Sequence, residues 1–488
     1  MIFCLSCREG WAERPAQAAQ LKEPFLDRMG VVMHTIQEKR LMLKTARSFQ
    51  EALSQYLTPQ LWKQVHQAWR PTQAASRWTL QPLFWVLLTM TWCCGDSQGE
   101  RFAMARAYYV SCHQKQRRPG DSLPGFQMAL ARLPSRVLRA LAAALRQQLA
   151  QRFVEALRIG KGGYLPMGCD GSRLECPRSQ QLQARLGEAG KTDSPPMAYV
   201  SALVLLPLGL LWSWRLGKGT ASEHDHLRSL LGTLPRRTLL VADAFYQGYD
   251  LYTDILASGA SFLVRLSSRS RLYTADHKPL DRLRQTLVYY WPDKAQSQGR
   301  PPLQLRVVRV RGKKADVWLL TNIVDPRELN HRQIAQLYRW RWRNEGLFRY
   351  YKRMLGKVKL QSRTVKLVHR EAEGSLIALQ LLLALATRTQ SYQGQVAVLS
   401  DMESPRRILL RIRGGIMAQL RTLGPRQIAA YQAMLERVRS EHRWHTRSKV
   451  RQVWPRRKDH KPPKPPLLRT MEEDFKMKID KELQSQTN

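Results

Sequence analysis

Apolar residues in the first third of the chain recur at the spacing of amphipathic helices. The pattern predicts helices over 35–69, 82–94, 99–112 and 135–157, separated by turns rich in Pro and Gly. Residues 1–30 show no clear period, and a start at Met29 or Met33 would leave them untranslated. We interpret 31–158 as an all-helical N-terminal region, for which a DNA-binding module and a scaffold bundle are equally weighted.

After Gly162 the apolar residues fall into short runs bounded by turns, which is typical of strands. Two of these runs flank a Pro-Leu-Gly turn and predict a hairpin. Thr220 and Glu223 have the spacing of a capping box and predict the start of a helix that ends at Leu231. The predicted strands are 164–170, 198–206, 210–216, 238–243 and 261–266, with a second helix at 249–258. This order indicates a mixed α/β sheet.

The pattern changes again after 266, where alternating β-branched and aromatic residues predict a β-rich insertion over 267–325. Asn330 and Gln333 then cap a long helix that Gly356 ends. Residues 371–388 predict a buried helix, and 402–440 are helical and basic. The segment from Arg443 onward is rich in Pro, Lys and Arg, so we expect it to be disordered.

Charge narrows the class of partner. The 488 residues contain 80 Lys and Arg against 38 Asp and Glu, a net charge of +42 spread along the whole chain. This excess predicts a polyanionic partner, with nucleic acid favoured over membrane. Seven Cys with no regular spacing argue against a secreted disulfide framework, and the apolar runs are too short to span a bilayer. We therefore expect a cytoplasmic, nucleoid-associated protein that binds no membrane.

The long predicted helix carries the candidate chemistry. At about 100° per residue, Tyr338, Arg341, Glu345 and Lys352 lie on one narrow stripe. A single carboxylate among cations suits a metal ligand beside a phosphate backbone. The alternative is a solvated face on which Arg341 and Glu345 form an ion pair at i,i+4, and spacing alone leaves the two interpretations even.

Two further carboxylates give Glu345 partners. Asp170 and Asp243 each end a predicted apolar strand, and the carboxyl ends of neighbouring strands converge in such sheets. Three carboxylates supply hard oxygen ligands for two Mg²⁺ ions, for which Mn²⁺ can substitute. Two such ions can activate the attacking oxygen and stabilise the leaving oxygen in a phosphoryl displacement. Each Asp taken alone is more often a turn residue.

These residues resemble a known family. Tyr338, Arg341, Glu345 and Lys352 match Y-x2-R-x3-E-x6-K, the YREK signature of DDE transposases of the insertion-sequence-four type. Asp170-Gly-Ser resembles the first Asp motif of that family. Val-Ala-Asp243-Ala-Phe resembles the second, although the family more usually has Gly two residues after the Asp. The resemblance covers roughly 160–390.

The resemblance implies a ribonuclease H-like catalytic domain interrupted by a β-insertion before the Glu helix. By this similarity Asp170, Asp243 and Glu345 would be the metal-binding catalytic triad. Tyr338, Arg341 and Lys352 would hold phosphates of the transposon end. Some relatives flip a base against a Trp of the insertion, and Trp318 is the nearest candidate for this DNA contact, with packing as its alternative role.

The sequence thus predicts a DNA transposase that cuts the inverted repeats of an insertion sequence and transfers the freed 3′-OH strand to target DNA. The family resemblance implies a synaptic homodimer. The alternatives are a non-catalytic DNA-binding protein derived from a transposase, and a ribonuclease H-like nuclease without strand transfer. We predict a leader at 1–30 and a helical N-terminal region at 31–158. The catalytic domain comprises 159–266 and 326–393, with its insertion at 267–325. A basic helical region at 394–442 and the tail at 443–488 follow.

Overall fold

The computed structural model describes residues 51–68, 77–187, 194–268, 270–275, 282–312, 315–392, 395–441 and 465–484. The predicted leader and the first part of the 35–69 helix lie outside these residues. The N-terminal region is helical, as predicted, and includes one helix that the pattern analysis missed, α4. Its helices are α1 (Pro59–Gln67), α2 (Leu80–Trp92), α3 (Gln98–Cys112), α4 (Leu123–Arg132) and α5 (Ser135–Leu149).

A mixed sheet of ten strands forms the centre of the molecule. Its order is β12-β6-β7-β8-β9-β5-β4-β1-β2-β3. The strands are β1 (Leu165–Glu175), β2 (Met197–Leu205), β3 (Leu210–Lys218), β4 (Thr238–Ala242), β5 (Ser261–Arg265), β6 (Arg271–Thr274), β7 (Gln285–Tyr290), β8 (Leu303–Val310), β9 (Val317–Thr321) and β12 (Leu467–Thr470).

The half of the sheet from β3 to β5 has the ribonuclease H-like arrangement. The antiparallel strands β1, β2 and β3 form a meander, and β4 and β5 then run parallel to β1 on its other side. Between them the chain forms α6 (Gln180–Leu186), α7 (Glu223–Leu231) and α8 (Tyr249–Ala257). Parallel neighbours require such helical crossovers. The predicted fold class, a mixed α/β sheet of the ribonuclease H-like type, is confirmed.

The start of α7 differs from the prediction. Ser222, and not Thr220, is the N-cap, and its hydroxyl accepts a hydrogen bond from the backbone N–H of Asp225. Glu223 is therefore the first residue of the helix. Because it does not close a capping box onto Thr220, its carboxylate is available to the sheet.

The insertion continues the same sheet. β9 pairs antiparallel with β5, and β8, β7 and β6 add outward in turn, with a short helix α9 (Asp293–Ser297) between β7 and β8. After β9 the chain forms α10 (His331–Trp340) and α11 (Trp342–Arg349). The predicted cap is confirmed, because Asn330 and Gln333 form a capping box at the start of α10. Gly356, with φ +69°, follows the end of this helical run.

The C-terminal part differs from the prediction at the start of the basic helical region and in the tail. A two-stranded sheet, β10 (Thr387–Tyr392) and β11 (Gln395–Met402), precedes the predicted helical region, which forms α13 (Pro405–Arg421) and α14 (Pro425–Glu441). The prediction of a disordered tail is wrong for 465–484. There β12 adds to β6 at the edge of the sheet, and α15 (Glu473–Gln484) buries Ile479 against Tyr249 and Trp291. The preceding basic, Pro-rich stretch lies outside the described residues.

The predicted buried helix is α12 (Val365–Ala386). It packs against α2, α4 and α5 on one side and against β3 on another, and most of its side chains are buried. It therefore joins the N-terminal helices and the sheet in one large apolar core. A second core lies between β4, β5 and β9 and the helix α10. No helix in the described part of the chain is long and apolar enough to cross a membrane.

A buried ion pair fixes the segment that leads into α12. Lys357 Nζ lies 2.9 Å from Glu371 Oε1, and each side chain is only 9% exposed. Glu371 Oε2 also accepts hydrogen bonds from the backbone N–H groups of Gln361 and Ser362, at 3.0 and 2.9 Å. The chain between α11 and α12 is thus tied to the core helix by one carboxylate.

We predict that Lys357→Met will lower the free energy of unfolding by about 3–5 kcal/mol, because it leaves the buried Glu371 carboxylate without its cation. Lys359 provides the matched control. Its ion pair with Glu175 is also 2.9 Å long, but its side chain is 57% exposed, so Lys359→Met should cost less than about 1 kcal/mol. Denaturant unfolding of both variants measures the difference, and equal losses would contradict the assignment.

Candidate active site

Two carboxylates lie near the point where the pairing of β1 with β4 ends. In the parallel pairing of β1 with β4, Gly168 is opposite Val241, and the pairing ends there, two residues before Asp170 and two residues before Asp243. The negative charge of Asp243 acts on Asp170 and raises its pKa, so the two carboxylates lie near each other. Asp243 was predicted as the last residue of its strand and is the first residue after β4. The prediction that β1 ends at Asp170 is wrong, because β1 continues along β2 to Glu175.

Asp170 therefore lies where β1 loses its β4 neighbour but keeps β2. Its Oδ1 accepts a hydrogen bond from the N–H of Gly171 at 2.8 Å, and Asp243 Oδ1 accepts one from the N–H of Phe245 at 2.8 Å. Among the described residues, neither carboxylate has a further hydrogen bond or an ion pair. One oxygen of each Asp thus remains available as a ligand.

The environment of the Asp170 carboxyl disfavours its charged form. The pKa of Asp170 is raised to about 6, chiefly by burial and also by the negative charges of Asp243 and Glu223, while the N–H of Gly171 and the guanidinium of Arg341 act in the opposite direction. Burial and like charges both disfavour a carboxylate anion. A cation bound here would relieve both effects.

The helix that carries Glu345 is docked directly on β1. Asn344 is fully buried over Gly168, and a Cβ atom built on Gly168 would lie 2.3 Å from Asn344 Oδ1. Asn344 Nδ2 donates to the carbonyl of Cys169 at 3.4 Å. Arg343 Nη1 also donates to the carbonyls of Leu206 and Pro207 in the β2–β3 turn. These contacts fix α11 on β1 at Gly168 and Cys169, the two residues that precede Asp170 in the sequence.

Arg341 lies at the junction between α10 and α11. Its guanidinium is 5.5 Å from the ring centre of Tyr338 and 5.3 Å from that of Trp342. It forms no ion pair with Glu345, so the solvated ion-pair interpretation of this face does not describe the structure. Its charge instead acts on Asp170.

The Glu345 side chain is exposed, and its carboxylate makes no hydrogen bond or ion pair with a described residue. In the described part of the chain, no group of three or more His, Cys, Asp or Glu side chains is placed to hold a metal ion. The structure thus brings Asp170 and Asp243 together and leaves Glu345 on the adjacent helix, outside that pair.

Residues 169–381 match the family model described as "Transposase DDE domain". This segment is similar to transposase DDE domains. It spans slightly under half of the chain and contains all seven residues that the sequence singled out. Among solved structures, the chain is similar to a cryo-EM structure of the piggyBac transposase synaptic complex with hairpin DNA. That similarity has a TM-score of 0.41 and 11% identity, over 80% of this chain and 85% of that chain. A similarity this distant carries no functional information. No curated protein matches the chain.

Lys352 lies just after the end of α11, in the turn that continues this helix. It lies in a π-helical turn, Tyr350–Met354, where the helix is wider than a regular α-helix. The helix is also interrupted at Arg341, so the four residues do not share one regular α-helical stripe as predicted. Burial lowers the pKa of the Lys352 ammonium. This ammonium has no ion-pair partner among the described residues, which leaves it able to bind an anion.

Trp318 is not available to DNA in this structure. Its side chain is only 7% exposed within β9 and packs in the main core. The guanidinium of Arg309, on the paired strand β8, lies 5.6 Å from its ring centre. Packing within the insertion, the alternative role, describes its side chain here, and the DNA contact stays a prediction.

Glu223 is a site residue that the sequence analysis missed. The hydroxyl of Tyr199 donates a hydrogen bond to its carboxylate, and the same hydroxyl lies over Gly171, where a Cβ atom would collide with it. Glu223 is thereby held next to Asp170. Its spacing from Thr220 suggested a helix cap, and nothing in the local sequence distinguished that role from this one.

We predict that Gly168→Ala will lower the free energy of unfolding by about 1–3 kcal/mol, because the added methyl group must push Asn344 and α11 away from β1. Gly346, on the same helix, is the control: a Cβ atom there meets nothing within 4 Å. Gly346→Ala should leave the stability unchanged or raise it by up to about 1 kcal/mol. Thermal unfolding distinguishes the two, and a neutral Gly168→Ala would contradict the tight docking of α11.

Proposed function

We propose that this protein is the transposase of an insertion sequence. It would bind the inverted repeats at the element ends, cut there, and transfer the freed 3′-OH strand to target DNA. The similarity of residues 169–381 to transposase DDE domains supports this class of reaction. The net charge of +42 supports DNA as the partner, since it provides cations well beyond the domain itself. The family resemblance also leads us to propose a homodimer that holds both ends.

The proximity of Asp170 and Asp243, just beyond the end of the β1–β4 pairing, is the observation that carries the proposal. These two carboxylates, each with an oxygen unused by the described residues, form a donor set of the hard oxygen type. Burial and the neighbouring charges of Asp243 and Glu223 raise the pKa of Asp170, and a bound cation would offset these effects. Mg²⁺ or Mn²⁺ fits this donor set.

We propose Glu345 as the third metal ligand. Its side chain is exposed and unpaired among the described residues, and its helix is fixed on β1 through Asn344. A change of side-chain rotamer is then the smallest movement that would bring its carboxylate toward Asp170. When bound, two divalent cations would activate the attacking oxygen and stabilise the leaving oxygen at phosphorus.

The cations of the same helical run would hold the DNA backbone. Arg341 is positioned between two aromatic rings next to Asp170, and Lys352 presents a partly desolvated ammonium. Charge-assisted hydrogen bonds to phosphate are strong under such conditions. Tyr338 supports Arg341 through its ring and would offer its hydroxyl to the same strand. These residues orient the scissile phosphate and take no part in proton transfer.

Replacement of any one of the three carboxylates tests the catalytic assignment. With Mg²⁺ and element-end DNA, Asp170→Ala, Asp243→Ala and Glu345→Ala should each reduce cleavage by about 10²-fold or more, the scale of losing one electrostatic contact to the transition state. Asp293→Ala, at an ion-paired side chain that is 84% exposed, is the control and should cut normally. Full activity of one variant would remove that residue from the site.

The products distinguish the alternative functions. Cleavage followed by joining of the 3′ end to a target duplex supports a transposase, whereas cleavage without joining supports a nuclease. Sequence-specific binding with no cleavage by the unaltered protein supports a non-catalytic DNA-binding protein. Inverted repeats and a short target duplication around the gene would favour transposition independently.

A salt titration tests the role of Lys352. Since each phosphate contact steepens the dependence of binding on salt, Lys352→Ala should weaken binding to the element end and reduce the slope of log K against log salt by about 1. Its metal affinity should be little changed. Lys476→Ala, at an exposed residue of the acid-rich helix α15, is the control and should keep the original slope. An unchanged slope for Lys352→Ala would contradict a phosphate contact.

A further inference from the structure

The insertion contains a buried cation that the proposed chemistry does not use. Arg306, on β8, is only 3% exposed. Alternation along the strand puts its side chain on the same face as Val308, which packs in the second core against α10. Its Nη2 donates to the carbonyl of Leu329 at 2.8 Å, whereas Nε and Nη1 have no hydrogen-bond partner among the described residues. The guanidinium thus lies between the insertion and the segment that leads into α10.

A guanidinium in this position costs the folded state free energy, because burial of a charge with unpaired donors is unfavourable. The negative charge of Asp325 acts on Arg306. The Asp325 carboxylate, however, accepts the N–H of Arg327 at 2.7 Å and lies 3.5 Å from Arg327 Nε. Arg306 forms no ion pair within the described part of the chain. An apolar side chain of similar length would fill the same space without this cost, so the contact with Leu329 is what the arginine provides.

This contact lies at the beginning of α10. Leu329 is itself buried and directly precedes Asn330, the N-cap of the helix. A second hydrogen bond joins the same two elements, since Nε2 of His331, the first residue of α10, donates to the carbonyl of Arg309 at 2.8 Å. Strand β8 therefore holds the start of α10 at two points.

The start of α10 is continuous with the helix that carries Glu345. Arg341 alone separates α10 from α11, its backbone is helical, and its carbonyl accepts the N–H of Asn344 at 3.0 Å. Beyond this junction, Arg343 and Asn344 fix α11 on the sheet. The α10–α11 run is thus held at β8 and again at β1. Loss of the contact at β8 would free the run to pivot about its attachment to β1.

We propose that Arg306 is a positioning residue, which holds the start of α10 from the insertion and so sets the direction of the run that carries Arg341 and Glu345. This inference rests on the proposed function, because it assigns the insertion a part in aligning groups that act on DNA. Arg306 itself is buried and would contact neither DNA nor metal. Its effect on cleavage would pass through the backbone of α10.

Hydrogen exchange of the full-length protein without DNA measures the positioning directly. Arg306→Met should raise the exchange rates of the α10 and α11 amides by about 2- to 10-fold, the scale of one lost hydrogen bond. The amides of β8 and β9 should exchange as before. The midpoint of thermal unfolding should not fall, since a costly buried charge is removed. Arg306→Lys, which keeps a donor for the Leu329 carbonyl, should exchange more slowly in α10 and α11 than Arg306→Met.

Arg309→Met is the matched control. Arg309 lies on the same strand, but its side chain pairs with Asp316 within the β8–β9 hairpin, so exchange in α10 and α11 should be unchanged. His331→Ala, which removes the second hydrogen bond, should accelerate exchange in α10. Faster exchange across the whole sheet in Arg306→Met would overturn the proposal in favour of a role in overall stability. Unchanged exchange in α10 and α11 would overturn it directly.

Cleavage in Mg²⁺ separates this proposal from the proposed function. At saturating element-end DNA, Arg306→Met should cut about 10- to 100-fold more slowly, as expected when reacting groups are displaced by about 1 Å. If the unaltered protein cuts and Arg306→Met cuts equally fast, the positioning role fails and the transposase remains. If the unaltered protein does not cut, yet exchange in α10 and α11 responds to Arg306→Met, the hold on α10 stands and the catalytic proposal fails.

Discussion

The parallel register between β1 and β4 is the constraint on which the candidate site depends. It is set by apolar side chains, because a shift of one residue would turn each strand's core face toward the other side of the sheet. The same pairing ends two residues before Asp170 and two residues before Asp243, and it leaves their carboxylates near each other. Burial that stabilises the strands also desolvates Asp170 and makes two neighbouring carboxylates costly without a cation. Stability of the sheet and chemistry of the site are therefore coupled through one pairing.

The second determinant is the docking of α11 on that sheet. Gly168 leaves room for the buried Asn344, and Arg343 ties the helix to the β2–β3 turn. These contacts bring the Arg341 charge to Asp170 and leave Glu345 on the solvent side. The proposed third ligand thus has a fixed backbone and a mobile side chain. This arrangement would allow the site to be completed when DNA and metal are bound.

Local sequence patterns predict some elements of the structure and leave others unpredicted. The strands of the ribonuclease H-like half and the long helices follow from apolar periodicity, because each element satisfies its own spacing. Apolar periodicity does not predict the order of the strands in the sheet. It also does not predict that β12, from the far end of the chain, adds to β6. A four-residue edge strand has no periodicity of its own, and its partner lies almost two hundred residues away.

The sequence by itself determined the α/β class, the capped helix carrying the YREK spacing, and the resemblance that links Asp170, Asp243 and Glu345. Those features are encoded in residue type and local spacing. Only the tertiary structure decided that Trp318 is buried, that Glu223 faces Asp170, and that Glu345 lies apart from the carboxylate pair. Each of these depends on packing between segments distant in sequence, where burial and electrostatic proximity are set by the whole fold.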